Sequence, residues 1–109
     1  RFDSAGGYVM TAPDLLAILA GFDGEGPETV PGGVAARMAE PWTPGGTYGR
    51  GLLLNPEHGN RWHNGSLPGT TSFAVMIEGG DLVCALCNGR TDTSRTGIEQ
   101  FVWDIYGAV

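Results

Sequence analysis

A chain of 109 residues with a formal charge of −6 holds one domain at most, and its charge would repel the phosphates of a nucleic acid. Six arginines and no lysine remove every chemistry that needs a lysine base, a Schiff base or a phosphate-loop lysine. An apolar fraction of 41% fits a folded protein, 19 glycines call for many turns, and no apolar run is long enough to cross a membrane.

Ser4-Ala5-Gly6-Gly7-Tyr8-Val9-Met10 reads as a small-residue approach to a helix. Thr11 supplies an N-cap, Pro13 sits early in the first turn, and Asp14 completes an acidic form of the capping box. Leu15, Ile18, Leu19 and Phe22 recur at helical spacing and Gly21 is a natural stop, which predicts a helix over roughly 12–20. Residues 22–33, with glycine or proline at nearly every other position, read as a loop. A short helix is expected from Val34 to Glu40, stopped by Pro41. The turn region Pro41–Gly46 follows, with Trp42 expected to pin it to the core.

Tyr48 to Leu54 reads as a strand, Pro56-Glu57-His58-Gly59 as its turn with His58 solvated, and Arg61-Trp62-His63 as the returning strand. Phe73–Glu78 and Asp81–Asn88 form a second hairpin about Gly79-Gly80, a pair suited to a two-residue turn. Ala74 to Ile77 and Leu82 to Cys87 are apolar without alternation, so this hairpin needs cover on both faces. A C-terminal helix from about Thr96 to Tyr106 covers one of them. Thr96 and Glu99 are its expected capping box, and Ile98, Phe101, Val102 and Ile105 its apolar stripe. The fold class is α+β: an antiparallel sheet with hairpins at about 48–63 and 73–88, a helical part over 1–46 and a closing helix, all within 1–109.

Cys84 and Cys87 have the Cys-x-x-Cys spacing, but on a strand their side chains point to opposite faces with Cα atoms about 10 Å apart. They are expected to be two small buried apolar residues without a disulfide. His58, His63 and Glu57 match no standard zinc pattern, so neither a metal nor another cofactor is expected.

The tract with the most chemistry is Arg61-Trp62-His63-Asn64-Gly65-Ser66-Leu67-Pro68-Gly69, which leads into the apolar run Phe73–Ile77. Glycine inside a polar segment lets a ligand approach the backbone closely, which makes this tract the candidate binding segment. A lone histidine at a strand end is more often structural than catalytic. Ser66 is not in the Gly-x-Ser-x-Gly elbow of a Ser–His hydrolase.

Three segments in register resemble the C-terminal portion of the serine β-lactamase family, which includes class C enzymes, esterase relatives and DD-peptidases. Ser4–Leu15 is similar to the family's Ala-Gly-Gly approach and helix, and Tyr48-Gly49-Arg50-Gly51-Leu52 resembles its Tyr-Gly-x-Gly strand. His63-Asn64-Gly65-Ser66-Leu67-Pro68-Gly69 resembles its third motif, a Lys/His-x-Gly triplet on the strand that edges the substrate groove. Leu86-Cys87-Asn88 before an amphipathic helix matches the family's ending. The resemblance implies a partial β-lactamase/transpeptidase-like fold, with the Ser66 backbone N–H as one oxyanion donor, Gly65 keeping the strand edge open and His63 in place of the commoner lysine. Asn64 would turn its carboxamide to the groove. The family's Ser-x-x-Lys and Tyr-x-Asn motifs are absent, so these residues are expected to be inactive alone.

The partner implied is the rest of the domain, or a second copy through the edge of the strand at 82–88. The parent's substrate would be a small molecule or a peptide, and its location extracytoplasmic as for most relatives. A non-catalytic cell-wall or peptide binding module and a structural or assembly domain are the alternatives.

Overall fold

The computed structural model describes residues 6–23 and 31–108. Ser4, Ala5 and most of the expected 22–33 loop lie outside the described residues. Helix α1, Ala12–Asp23, starts where its cap is written. The Thr11 N–H donates to Asp14 Oδ2 at 3.0 Å and the Asp14 N–H to Thr11 Oγ1 at 3.3 Å, satisfying two backbone donors at the helix start. The helix passes Gly21, which is buried, rather than stopping there. Helix α2, Gly32–Met38, begins two residues before the expected Val34.

Four strands follow: β1 Leu53–Asn55, β2 Asn60–Leu67, β3 Thr70–Met76 and β4 Leu82–Cys87. They form one antiparallel sheet in the order β1-β2-β3-β4, each hydrogen-bonded to its neighbour in the chain. Tyr48–Leu52 is not a strand. The Gly49 N–H donates to Leu52 O at 2.8 Å, which folds the segment into a tight turn with Tyr48 bridged to Leu53. The hairpin of β2 and β3 turns at Pro68-Gly69: proline fixes φ at the first position and Gly69 takes φ +84° at the second, the type II pattern. The last hairpin has a three-residue loop rather than the expected two. The Ile77 N–H donates to Asp81 O at 2.8 Å, enclosing Glu78, Gly79 and Gly80.

Helix α3, Asp92–Tyr106, begins a turn before the expected Thr96. Its capping box is Thr91 with Ser94, whose reciprocal bonds are 2.8 and 3.0 Å. Thr96 lies inside the helix and donates its hydroxyl back to Asp92 O at 3.1 Å.

The register sorts the side chains onto two faces. Trp62, Asn64, Ser66, Thr71, Phe73, Val75, Val83, Ala85 and Cys87 share the α3 face, where Phe73, Val75, Ile98 and Val102 form the buried core. Thr71, 2% exposed, donates its hydroxyl to Gly89 O at 3.0 Å and so ties β3 to the loop entering α3. Leu54, Arg61, His63, Gly65, Leu67, Ser72, Met76, Leu82, Cys84 and Leu86 share the other face. There α1 packs on β4, and Cys84 Sγ reaches Ala12 O at 3.6 Å. The cover that β4 needed on its second face is therefore the N-terminal helix.

Both cysteines are free and half-buried, on opposite faces as expected. Burial pushes the Cys84 thiol above its ordinary pKa. Of the predicted α3 stripe, Ile98 and Val102 are buried, whereas Phe101 and Ile105 are about half exposed, at 54% and 49%. Trp42 is 71% exposed rather than set in the core, and the Arg50 guanidinium lies over its ring at 5.6 Å. The same Arg50 donates to Arg37 O and pairs with Glu40 at 3.4 Å, clamping the end of α2 to the turn before β1. His58 is exposed in the 56–59 turn, as expected.

Candidate functional site

Strand β2 has a partner on its outer side only at Asn60–Trp62, where β1 pairs with it. From His63 to Leu67 that outer side has no strand beside it among the described residues. Leu67 and Thr70 close a two-residue turn, so their backbone groups bond each other, and alternation turns those of Gly65 and His63 inward as well. The N–H and C=O of Asn64 and Ser66 therefore point to the open side. Two observations agree. The Leu54 N–H donates away from the sheet to Thr47 O at 2.8 Å, which leaves Leu53 and Trp62 to bond each other. The Asn64 carbonyl is reached from outside by the His63 ring.

His63 is exposed and held at both ring nitrogens. Its Nδ1 lies 2.6 Å from Asn64 O, which can only accept, so Nδ1 carries the proton. In the neutral ring Nε2 then accepts from the Tyr48 hydroxyl at 3.3 Å, with the two rings edge to face. Tyr48 is brought there by the tight turn that replaced its expected strand. No pattern of spacing announced this pairing.

A cavity of about 400 Å³ lies against the α1-side face, within the size range of small-molecule pockets. One wall is the segment Gly6–Met10 and the other comes from Gly65, Ser66 and Leu67 of β2, with Ser72 and Leu86 as floor. Gly6, at φ +79°, sits so close to Leu67 that a Cβ would come within 2.9 Å of its Cδ1. Gly65 is constrained from the facing strand: a Cβ there would meet Ser72 Oγ at 2.5 Å. Glycine at 65 thus makes room for Ser72 beneath it as well as for a ligand at the edge.

Of the four expected site residues, Gly65 and Ser66 line the cavity, Ser66 through its backbone because its side chain belongs to the α3 face. His63 shares the cavity face but turns along the edge toward Tyr48 and does not line the cavity. The Asn64 side chain lies on the α3 face, away from the cavity where it was expected, because adjacent strand residues alternate. No group of three or more histidine, cysteine or carboxylate side chains suited to a metal occurs among the described residues. No described helix is long and apolar enough to cross a membrane. No protein-family model, curated protein or solved structure matches the chain.

Proposed function

We propose that this chain is the C-terminal segment of a serine β-lactamase-like hydrolase, acting by acyl transfer on a β-lactam, a D-Ala peptide or an ester. It supplies the strand of the third motif and one oxyanion-hole amide, while the nucleophile and its lysine are not among these 109 residues. What carries this reading is the β2–β3 register, which turns the Ser66 N–H outward on a strand edge with no partner among the described residues, at the rim of a cavity of about 400 Å³.

An acyl carbonyl set against that edge would place its oxygen near the Ser66 donor, where negative charge develops during attack. His63, fixed by Tyr48 and Asn64 O, keeps a polar group at the same edge. The remaining strands of the parent sheet, or a second copy, would pair with β4. Its edge has no described partner, and Leu82–Cys87 contains no charge or proline to discourage pairing.

Ser66→Pro is the discriminating variant in a longer chain that carries Ser-x-x-Lys upstream. It removes only an outward N–H, which an edge strand tolerates, and is expected to lower turnover about 100- to 1,000-fold. Ser66→Ala keeps the amide and is expected to keep the activity. Turnover of a chromogenic ester by the 109-residue chain alone, abolished by Ser66→Ala, would show the nucleophile to be misassigned. The same open β2 edge favours one other reading, a binding module that adds an extended peptide as a further strand. Saturable peptide binding, with no activity in any longer chain, would favour it.

A further inference from the structure

Helix α3 lies over β3 and β4 and leaves the β1–β2 side of its own face partly uncovered. The cleft that remains has a volume of about 270 Å³. Its floor is Asn55, Asn60 and Trp62, with His58 at the rim, and its wall is Glu99 and Trp103, one turn apart on α3. Both indoles are held in place: Trp62 packs on the Phe73 ring at 5.6 Å, and Trp103 meets the Tyr106 ring at 6.2 Å.

The polar groups around this cleft are largely unspent. Asn55 Oδ1 accepts the Glu57 and His58 amides at 3.2 and 3.3 Å, and Asn60 Oδ1 accepts the Glu78 amide at 3.1 Å. Each carboxamide therefore keeps its NH₂ donors. Among the described residues, the Glu99 carboxylate, the His58 ring and both indole N–H groups have no hydrogen-bond partner.

We propose that this cleft binds a saccharide, one neutral pyranose ring lying against the indoles of Trp62 and Trp103. Sugar hydroxyls both donate and accept, so they match a lining that carries carboxamides, indoles and a carboxylate together. The sugar's C–H faces suit the apolar indole surfaces, and the volume, just below the ~300 Å³ of drug-sized pockets, suits a single ring. An anion would be repelled by Glu99 and meets no arginine or lysine among the described lining residues. An organic cation would use Glu99 and the indoles but face several N–H donors. The site lies on the opposite face of the sheet from the Ser66 cavity, so it stands or falls independently of the hydrolase reading.

The test titrates the full 109-residue chain with N-acetylglucosamine and with methyl glucoside, following the three indole N–H resonances. Saturable shifts of Trp62 and Trp103 are expected with a Kd of about 1–10 mM, while the exposed Trp42 stays still. Trp103→Ala is expected to weaken binding at least about tenfold and Glu99→Gln a few-fold, whereas Gly33→Ala on exposed α2 changes nothing. Glu99→Gln guards against a folding failure of the larger truncation. Three results would each overturn the proposal: no saturation by either sugar up to about 50 mM, unchanged affinity in both variants, or saturation by choline chloride in place of the sugars.

Discussion

Gly49→Ala is the substitution on which the geometry around Tyr48 makes its strongest quantitative statement. Gly49 is buried and lacks the positive φ of the turn glycines, so alanine meets no backbone strain there. The obstacle is space: a Cβ would stand 2.3 Å from Met38 O and 3.2 Å from Glu40 O, and backbone cannot rotate aside. Relief requires the turn before β1 to move off the end of α2, which breaks the Arg50 N–H bond to Met38 O at 3.1 Å. Overpacking costs about 1–3 kcal/mol and the lost bond about 1, for a total of about 2–4 kcal/mol. With a urea slope near 1.5 kcal/mol/M, the midpoint should fall by about 1.3–2.7 M. Urea unfolding followed by tryptophan emission measures it. The control is Gly33→Ala on exposed α2, where nothing lies within 4 Å of the new Cβ and a gain of about 0.5–1 kcal/mol is expected. If both variants move the midpoint in the same direction, or Gly49→Ala costs less than about 0.5 kcal/mol, the close approach of α2 to the turn is wrong.

Thr71→Val keeps shape but leaves Gly89 O without its 3.0 Å partner, and should cost about 1–3 kcal/mol by the same urea measurement. The Thr11 hydroxyl and then its backbone N–H hold the Asp14 carboxyl below the usual carboxylate range. A depressed carboxylate contributes stability above its unfolded pKa of about 3.9 and loses it as pH falls through the lower folded value. Amide exchange in the first turn of α1 should accordingly quicken, relative to the rest of the helix, only as pH drops below about 4, and Asp14→Asn should abolish that dependence. Air oxidation should leave Cys84 and Cys87 unbridged within one chain, because they face opposite sides of the sheet. A 2 Da loss in the intact monomer mass, with one 84–87 bridge in its peptides, would contradict the register.

What was legible in the sequence was whatever is encoded locally. The Thr11–Asp14 box, the Pro56–Gly59 turn, the apolar β3 and β4 runs and the α3 core positions Ile98 and Val102 each follow from a few adjacent residues. The start of α3 was misread because Thr91–Ser94 and Thr96–Glu99 both spell a cap, and the hydroxyl-only pair won. Trp42 was misread because size suggests burial, while a neighbouring guanidinium offered its ring a surface partner. At the candidate site, the tract from His63 to Ser66 was visible as composition, but its two faces were not. Alternation sends Asn64 and Gly65 to opposite sides, and only the register decides which side meets the cavity. The Tyr48 hydroxyl beside His63 was beyond sequence reasoning, since it depends on a turn formed fifteen residues upstream.

The sheet is a meander in which each strand joins the one before it through a short turn. Pairing can therefore advance one hairpin at a time, and such events take microseconds. The link between Ala12 and Cys84, by contrast, spans 72 positions and must wait for the strands it rests on. The wall formed by Gly6–Met10, which leads into that helix, is thus expected to settle late and lift away early. Mild denaturant should empty the Ser66 recess of its shape while the α3 side still resists exchange, so ligand capture there would be lost well before the molecule melts.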